Sequence, residues 1–97
     1  MLDRLYEVIS DRRDRRPAGS YVVSLLEGGW DAMAAKVREE AEEVVLAARD
    51  ESDEALTHEV ADLLFHVWVL MAWRGIAPKQ VDLELEGRFG TGGFEEK

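Results

Sequence analysis

The sequence predicts an all-α fold of four to five helices, and three observations support it. Apolar residues recur at spacings of three and four along most of the chain, as on one face of a helix. No stretch shows the sustained apolar/polar alternation of a half-buried strand. A length of 97 residues with 46% hydrophobic positions suits one small core. We therefore expect residues 1–97 to form a single domain.

The first two predicted helices are bounded by clear stop signals. The apolar repeat that marks the first helix consists of Leu2, Leu5, Tyr6 and Ile9. This helix ends before Pro17, because the residue that precedes a proline is disfavoured in the α conformation. Ser20 then supplies an N-cap for a short second helix, which ends at Gly28 and Gly29.

Three further helices are predicted in the remainder of the chain. Their expected ranges are about 30–48, 54–74 and 77–89, followed by a flexible tail over 90–97. A polar cluster at 50–53 separates the first two of these helices and supplies an N-cap. Gly75 ends the long helix, and Pro78 opens the last one.

Composition and charge exclude several classes of function. Twenty-one acidic and 12 basic residues give a net charge of −9, which repels nucleic acids and anionic membranes. The absence of Cys rules out a disulfide framework, a thiol nucleophile and a thiolate metal site. The longest uncharged run, 63–73, is 11 residues long and too short to span a bilayer, and the N-terminus lacks a signal-peptide pattern. We expect a cytoplasmic protein without nucleic-acid or membrane partners.

The long fourth helix predicts self-association. Beyond Glu59 its sequence is apolar on nearly all sides, up to Trp73. Such a helix must be buried on most of its surface, and a 97-residue chain with three modest partner helices can hardly cover it. We therefore expect a helical bundle that is completed by homodimerisation.

Two pairs of carboxylates lie on the edges of apolar helix faces. On a helical wheel, Glu40 falls beside the apolar stripe of the third helix, with Glu43 and Lys36 close to it. On the fourth helix, Glu59 and Asp62 share a face with large apolar groups and a histidine. If the two helices pack side by side, these four carboxylates meet.

Four like charges in a partly dry groove repel one another unless something neutralises them. A single divalent cation can neutralise this charge. A set of oxygen ligands favours Mg²⁺, which also binds phosphate oxygens. Such a site suits phosphoryl chemistry. In so acidic a chain, however, the Glu39–Glu43 run alone is more often a solvated face. His66, likewise, is more often a hydrogen-bonded core histidine than a ligand.

Several motifs together resemble a known enzyme family. These segments are Pro17–Tyr21, Lys36–Val44, Glu59–His66 and Arg74–Gly75. The acidic signature Glu-Glu-x-x-Glu followed by Glu-x-x-Asp is typical of the all-α, MazG-like nucleoside triphosphate pyrophosphohydrolases. The Ser-Tyr and Phe-His elements narrow the resemblance to the phosphoribosyl-ATP pyrophosphohydrolase family. The resemblance covers about the whole chain.

The resemblance implies hydrolysis of phosphoribosyl-ATP to phosphoribosyl-AMP and pyrophosphate, the second step of histidine biosynthesis, by a Mg²⁺-dependent homodimer. By analogy, the catalytic residues are Glu39, Glu40, Glu43, Glu59 and Asp62. All of these except Glu39 are the implied metal ligands, and Glu39 orients a water or a ligand. The implied substrate-binding residues are Ser20, Tyr21, Lys36 and Arg88, of which Lys36 and Arg88 meet phosphates.

Two other functions remain open from the residues. The same chemistry could act on surplus or non-standard nucleoside triphosphates, as in a house-cleaning pyrophosphohydrolase. Alternatively, the chain could be a non-catalytic helical dimerisation module whose acidic residues only keep it soluble.

Overall fold

Five α-helices form the part of the chain that the structure describes, residues 1–91, with side chains for residues 1–89. The structure is a computed structural model. The helices are α1 (Leu2–Arg15), α2 (Tyr21–Glu27), α3 (Gly29–Asp50), α4 (Asp53–Arg74) and α5 (Pro78–Thr91). Residues 1–91 contain no strand. The predicted all-α fold is therefore confirmed.

Most helix ends lie where the capping signals predict them. The Ser20 hydroxyl accepts a hydrogen bond from the Val23 amide at 3.4 Å, and Ser52 does the same for Ala55 at 3.1 Å. At the other end of α4, Gly75 adopts a left-handed φ of 74°. Its amide then donates to carbonyl groups of the last turn, which a residue with a Cβ would do at a steric cost.

Two predicted boundaries are wrong. Helix α3 continues to Asp50, two residues past its expected end, and Glu51 is the first residue with an extended backbone. Helix α5 runs through Gly90 to Thr91, so the tail does not begin at Gly90. One glycine costs a helix only about 1 kcal/mol, which weakens the helix without ending it. Residues 92–97 of the predicted tail lie outside the described residues.

Helices α3 and α4 form the centre of the fold. A two-residue connection joins these 22-residue helices, and they pack against each other, so they run antiparallel. Helix α1 packs on α4, and α2 contacts both α1 and α3. The buried apolar core consists of Ile9, Val22, Leu25, Met33, Trp68, Val69 and Ala72. This hairpin places the acidic edges of α3 and α4 next to each other.

Polar contacts fasten α1 to α4 near both ends of α1. The indole Nε1 of Trp68 donates to the carbonyl oxygen of Leu2 at 3.1 Å. The Arg13 guanidinium donates to the carbonyl oxygen of Ala72 at 2.6 Å, in the last turn of α4. A cation at this position satisfies a terminal carbonyl group and interacts favourably with the negative end of the helix dipole.

Several large apolar side chains stay exposed in a single protomer. Val45 is 60% exposed and Trp73 45% exposed. Helix α5 packs mainly on α1 and leaves its apolar residues Val81, Leu83, Leu85 and Phe89 open to solvent. This surface is consistent with the predicted homodimer, which a single chain does not test.

By length and composition alone, α4 could cross a membrane. The core helices of soluble proteins meet the same criterion. Here α4 contributes His66, Trp68 and Val69 to the protein interior, and it also carries Glu59 and Asp62. The absence of a membrane partner stays a prediction.

Candidate functional site

Three carboxylates meet between α3 and α4. Oxygen atoms of Glu40, Glu43 and Glu59 lie within 4.8 Å of one another. Glu40 and Glu43 are one turn apart on α3, and Glu59 faces them from the antiparallel helix α4. Glu40 is only 5% exposed, as its predicted place on the edge of the apolar stripe requires. We call these three residues the carboxylate cluster.

Asp62 lies next to this cluster but belongs to a second group. Its carboxylate is 3.2 Å from Nε2 of His58, one turn earlier on α4. His58, Glu59 and Asp62 have ligand atoms within 4.8 Å of one another. The four carboxylates expected to converge thus form two overlapping groups that share Glu59. Asp62 is still close enough for its charge to raise the pKa of Glu40.

Burial is the main reason why the pKa of Glu40 is raised above its ordinary value. A hydrogen bond with Glu43 and the negative charges of Glu43 and Asp62 raise it further, whereas Lys36 lowers it. The Oε2 atoms of Glu40 and Glu59 are buried without a hydrogen-bond partner among the described residues. Buried oxygens of this kind are costly unless a further group satisfies them.

The pKa of Glu43 is also raised, mainly by a hydrogen bond with Glu59. A hydrogen bond with Glu40 works in the opposite direction, while burial and the charges of Glu59 and Glu39 add to the increase. Without a cation, the cluster therefore holds protons more tightly than separate carboxylates do.

Lys36 is the basic group beside the carboxylate cluster. Its ammonium lies 3.5 Å from Oε1 of Glu40 and 3.5 Å from Oε1 of Glu39. Burial lowers the pKa of Lys36, but Tyr21, Glu39 and Glu40 outweigh it, and the net pKa is raised. Lys36 is therefore a cation at neutral pH and is available for anionic groups near the cluster.

The carboxylate cluster fits a hard divalent cation. It offers oxygen ligands only, and two of its buried oxygens lack partners among the described residues. Mg²⁺ prefers carboxylate oxygens and keeps positions for water and phosphate oxygens. The adjoining His58 adds one nitrogen donor, which is exposed and paired with Asp62.

The predicted substrate residues Ser20 and Tyr21 line a surface cleft. This cleft of about 540 Å³ also includes Arg16 and Ser24. The Tyr21 hydroxyl lies 2.9 Å from Nε2 of His66, and its ring stacks on Phe65 with centroids 6.1 Å apart. Tyr21 thereby connects the cleft to the helix that carries Glu59.

The remaining predicted site residues have different surroundings. Glu39 is exposed and pairs with Lys36, so it lies at the edge of the cluster. Arg88 lies on α5, whose main packing partner is α1, and its guanidinium bonds Glu84 one turn earlier. Glu42 is exposed, as its place about 200° from Glu40 on a helical wheel predicts.

Sequence reasoning missed two contacts of this site. His58 is exposed but pairs with Asp62. Its spacing of four residues from Asp62 on one helix was the available signal. His66 was correctly expected to be a hydrogen-bonded core histidine, but its partner Tyr21 is 45 residues away, and no local pattern indicates the pair.

The fold and the site together define a class of protein. An antiparallel helix pair with carboxylates on its inner edge fits an all-α, MazG-like pyrophosphohydrolase, the class that the acidic signature indicates. A family model described as phosphoribosyl-ATP pyrophosphohydrolase matches residues 2–89. The chain therefore belongs to the phosphoribosyl-ATP pyrophosphohydrolase family, as its motifs indicated.

Individual relatives agree with this assignment. The chain is 49% identical to a phosphoribosyl-ATP pyrophosphatase of Rhodopirellula baltica, over 99% of this chain and 82% of the relative. It is 48% identical to the protein of the same name from Trichlorobacter lovleyi, over 100% of this chain and 90% of the relative. A phosphoribosyl-ATP pyrophosphatase of Sulfurisphaera tokodaii is 48% identical over 91% of this chain and 94% of its own length.

Proposed function

We propose that this protein hydrolyses phosphoribosyl-ATP to phosphoribosyl-AMP and pyrophosphate, the second step of histidine biosynthesis. The observation that carries the proposal is the carboxylate cluster beside the Lys36 ammonium, with two buried oxygens that lack hydrogen-bond partners within residues 1–91. Proteins that are about half identical to this chain over nearly all of its length bear the name of this activity.

In this proposal Glu40, Glu43, Glu59 and Asp62 hold Mg²⁺. The two overlapping groups of ligand atoms, which share Glu59, support this ligand set. When bound, Mg²⁺ offsets the charge of the polyphosphate and activates water for attack on phosphorus. The carboxylates must be deprotonated to bind Mg²⁺. Because the pKa values of Glu40 and Glu43 are raised, protons held by these two groups are released when the metal binds.

The other site residues bind and orient the substrate. Lys36 neutralises phosphate oxygens next to the cluster, and Glu39 keeps the Lys36 ammonium in place from the solvent side. Ser20 and Tyr21 border the substrate in the cleft at the start of α2. Arg88 is proposed as a further phosphate contact from α5 on the basis of the family resemblance.

The reaction breaks the bridging bond between the α- and β-phosphates. Water supplies a hydroxyl group to one phosphorus and a proton to the other fragment, which leaves phosphoribosyl-AMP and pyrophosphate. We further propose that the enzyme is a cytoplasmic homodimer. The exposed apolar side chains of α5 and of the central hairpin support the dimer.

A substrate panel tests the proposal. With Mg²⁺ present, kcat/KM for phosphoribosyl-ATP is expected to exceed that for each of the standard deoxynucleoside triphosphates. If a deoxynucleoside triphosphate is hydrolysed more efficiently, the protein is a house-cleaning pyrophosphohydrolase instead. If nothing is hydrolysed, the proposed function is wrong and the dimerisation module is favoured.

A further inference from the structure

His66 is a buried polar residue to which the proposed reaction assigns no part. It lies one turn after Asp62 on α4, and both of its ring nitrogens make short hydrogen bonds. Nδ1 is 2.7 Å from the main-chain carbonyl oxygen of Asp62. Nε2 is 2.9 Å from the hydroxyl of Tyr21 on α2. His66 therefore connects the helix of Glu59 and Asp62 with the cleft at the start of α2.

The chemistry of these groups fixes the direction of both hydrogen bonds. A carbonyl oxygen only accepts, so Nδ1 of His66 must carry the proton and donate to Asp62. In the neutral imidazole, Nε2 is then an acceptor. The Tyr21 hydroxyl must accordingly donate its single proton to Nε2.

The direction of the hydrogen bond between Tyr21 and His66 determines which ligand groups the Tyr21 hydroxyl can bind. With its proton committed to His66, the hydroxyl oxygen presents only lone pairs to its surroundings. Tyr21 is 48% exposed and lines the cleft, while its ring contacts the rings of Phe65 and His66, with centroids 6.1 and 5.8 Å away. Phosphate oxygens are acceptors and carry negative charge, so they are poor partners for this oxygen. A sugar hydroxyl is a donor and fits it.

We propose that His66 is a positioning residue that holds the Tyr21 hydroxyl as a hydrogen-bond acceptor for a sugar hydroxyl of the nucleotide substrate, not for its phosphates. The inference rests on the proposed function, because it concerns the substrate of that reaction. It separates two parts of the site. The carboxylates and Lys36 bind the phosphates, and the Tyr21–His66 pair, which lies next to Lys36, binds the sugar where the two parts meet.

The two products test this division, since pyrophosphate contains no sugar, whereas phosphoribosyl-AMP contains both ribose groups together with the two remaining phosphates. Tyr21→Phe should raise the KM for phosphoribosyl-ATP and the inhibition constant of phosphoribosyl-AMP by about two- to tenfold, the value of one hydrogen bond. The inhibition constant of pyrophosphate should stay unchanged. Tyr6→Phe is the matched control, since it removes the only other tyrosine hydroxyl, on α1. An equal rise for pyrophosphate would overturn the proposal.

A double-mutant cycle tests whether His66 acts through Tyr21. His66→Leu should raise KM as Tyr21→Phe does, and the double variant should be no worse than either single variant. His66→Gln should restore part of the loss, because its amide oxygen can accept from the Tyr21 hydroxyl. An additive double variant would show that His66 has only a structural role and would contradict the proposal.

Nitrogen NMR of the histidine side chains tests the hydrogen-bond direction without any turnover. At mildly alkaline pH, Nδ1 of His66 should be the protonated nitrogen, and Tyr21→Phe should shift mainly the Nε2 signal. The exposed His58, the only other histidine, serves as an internal reference. A proton on Nε2 would overturn the assignment even in a fully active enzyme. A wild-type protein that leaves phosphoribosyl-ATP intact would instead contradict the proposed function.

Discussion

Replacing Glu40 with Gln should stabilise the protein without metal and remove most of its response to Mg²⁺. Glu40 is 5% exposed, and its Oε2 atom has no hydrogen-bond partner among the described residues. Its charge is repelled by Glu43 and Asp62. The neutral amide keeps the volume of the side chain and removes this repulsion, so the melting temperature in EDTA should rise.

The response to Mg²⁺ can be calculated from linkage. A ligand that binds only the folded state at a hundredfold excess over Kd raises the free energy of unfolding by about 2.7 kcal/mol. For a domain of this size, the melting temperature then increases by roughly 10–20 °C. If the loss of one charged ligand raises Kd a hundredfold, the same Mg²⁺ concentration stabilises Glu40→Gln by only about 0.4 kcal/mol.

The assay is thermal unfolding of each protein in EDTA, in Mg²⁺ and in NaCl of matched ionic strength. Glu42→Gln is the matched control, because Glu42 lies two positions further along α3 and points to solvent. This variant should respond to Mg²⁺ as the wild type does. Equal Mg²⁺ shifts in the wild type and in Glu40→Gln would refute the metal assignment and favour a solvated acidic surface.

Four further outcomes are expected. Asp62→Asn should lose most activity toward phosphoribosyl-ATP while circular dichroism shows an intact fold, and Glu42→Gln should keep near-wild-type turnover; the reverse order would show that the helix phase is wrong. Because the pKa of Glu40 is raised above 4.5 in the folded state, its ionisation destabilises the metal-free protein at higher pH. The melting temperature in EDTA should therefore rise relative to Glu40→Gln as the pH is lowered toward about 4.5; a parallel pH dependence of the two proteins would contradict this. Arg13→Met should lower the free energy of unfolding by about 1–2 kcal/mol in urea titration, because the Ala72 carbonyl loses a charged donor, whereas the exposed Arg15→Met should change it little. Light scattering should give the mass of a homodimer at micromolar concentration, and a monomer would contradict the predicted association.

Much of the fold could be predicted because its determinants are local. Serine N-caps and the left-handed Gly75 act within one turn of a helix, so their positions in the sequence determine where α2 and α4 begin or end. The prediction failed at Gly90, where a weak local signal was taken for a helix end. Packing contacts beyond one helix, such as the bond from Arg13 to Ala72 across 59 residues, leave no local pattern in the sequence.

In the candidate site, too, local features could be predicted from the sequence and long-range contacts could not. The phase of a helix follows from residue spacing, so the wheel placed Glu40, Glu43 and Glu59 on edges that meet once α3 and α4 pack together. How far Asp62 stands from them depends on the exact packing of the two helices, and the sequence could not determine that distance. The link between Tyr21 and His66 depends on where α2 docks, so only the three-dimensional structure reveals it.

Phosphorus NMR of phosphoribosyl-ATP incubated with the protein and Mg²⁺ tests the central claim most directly. If the carboxylates of α3 and α4 form a magnesium-dependent pyrophosphohydrolase site, the spectra should show equal amounts of phosphoribosyl-AMP and pyrophosphate, and EDTA or Glu40→Gln should abolish both. Release of orthophosphate, an intact substrate, or turnover that persists in EDTA would contradict the assignment.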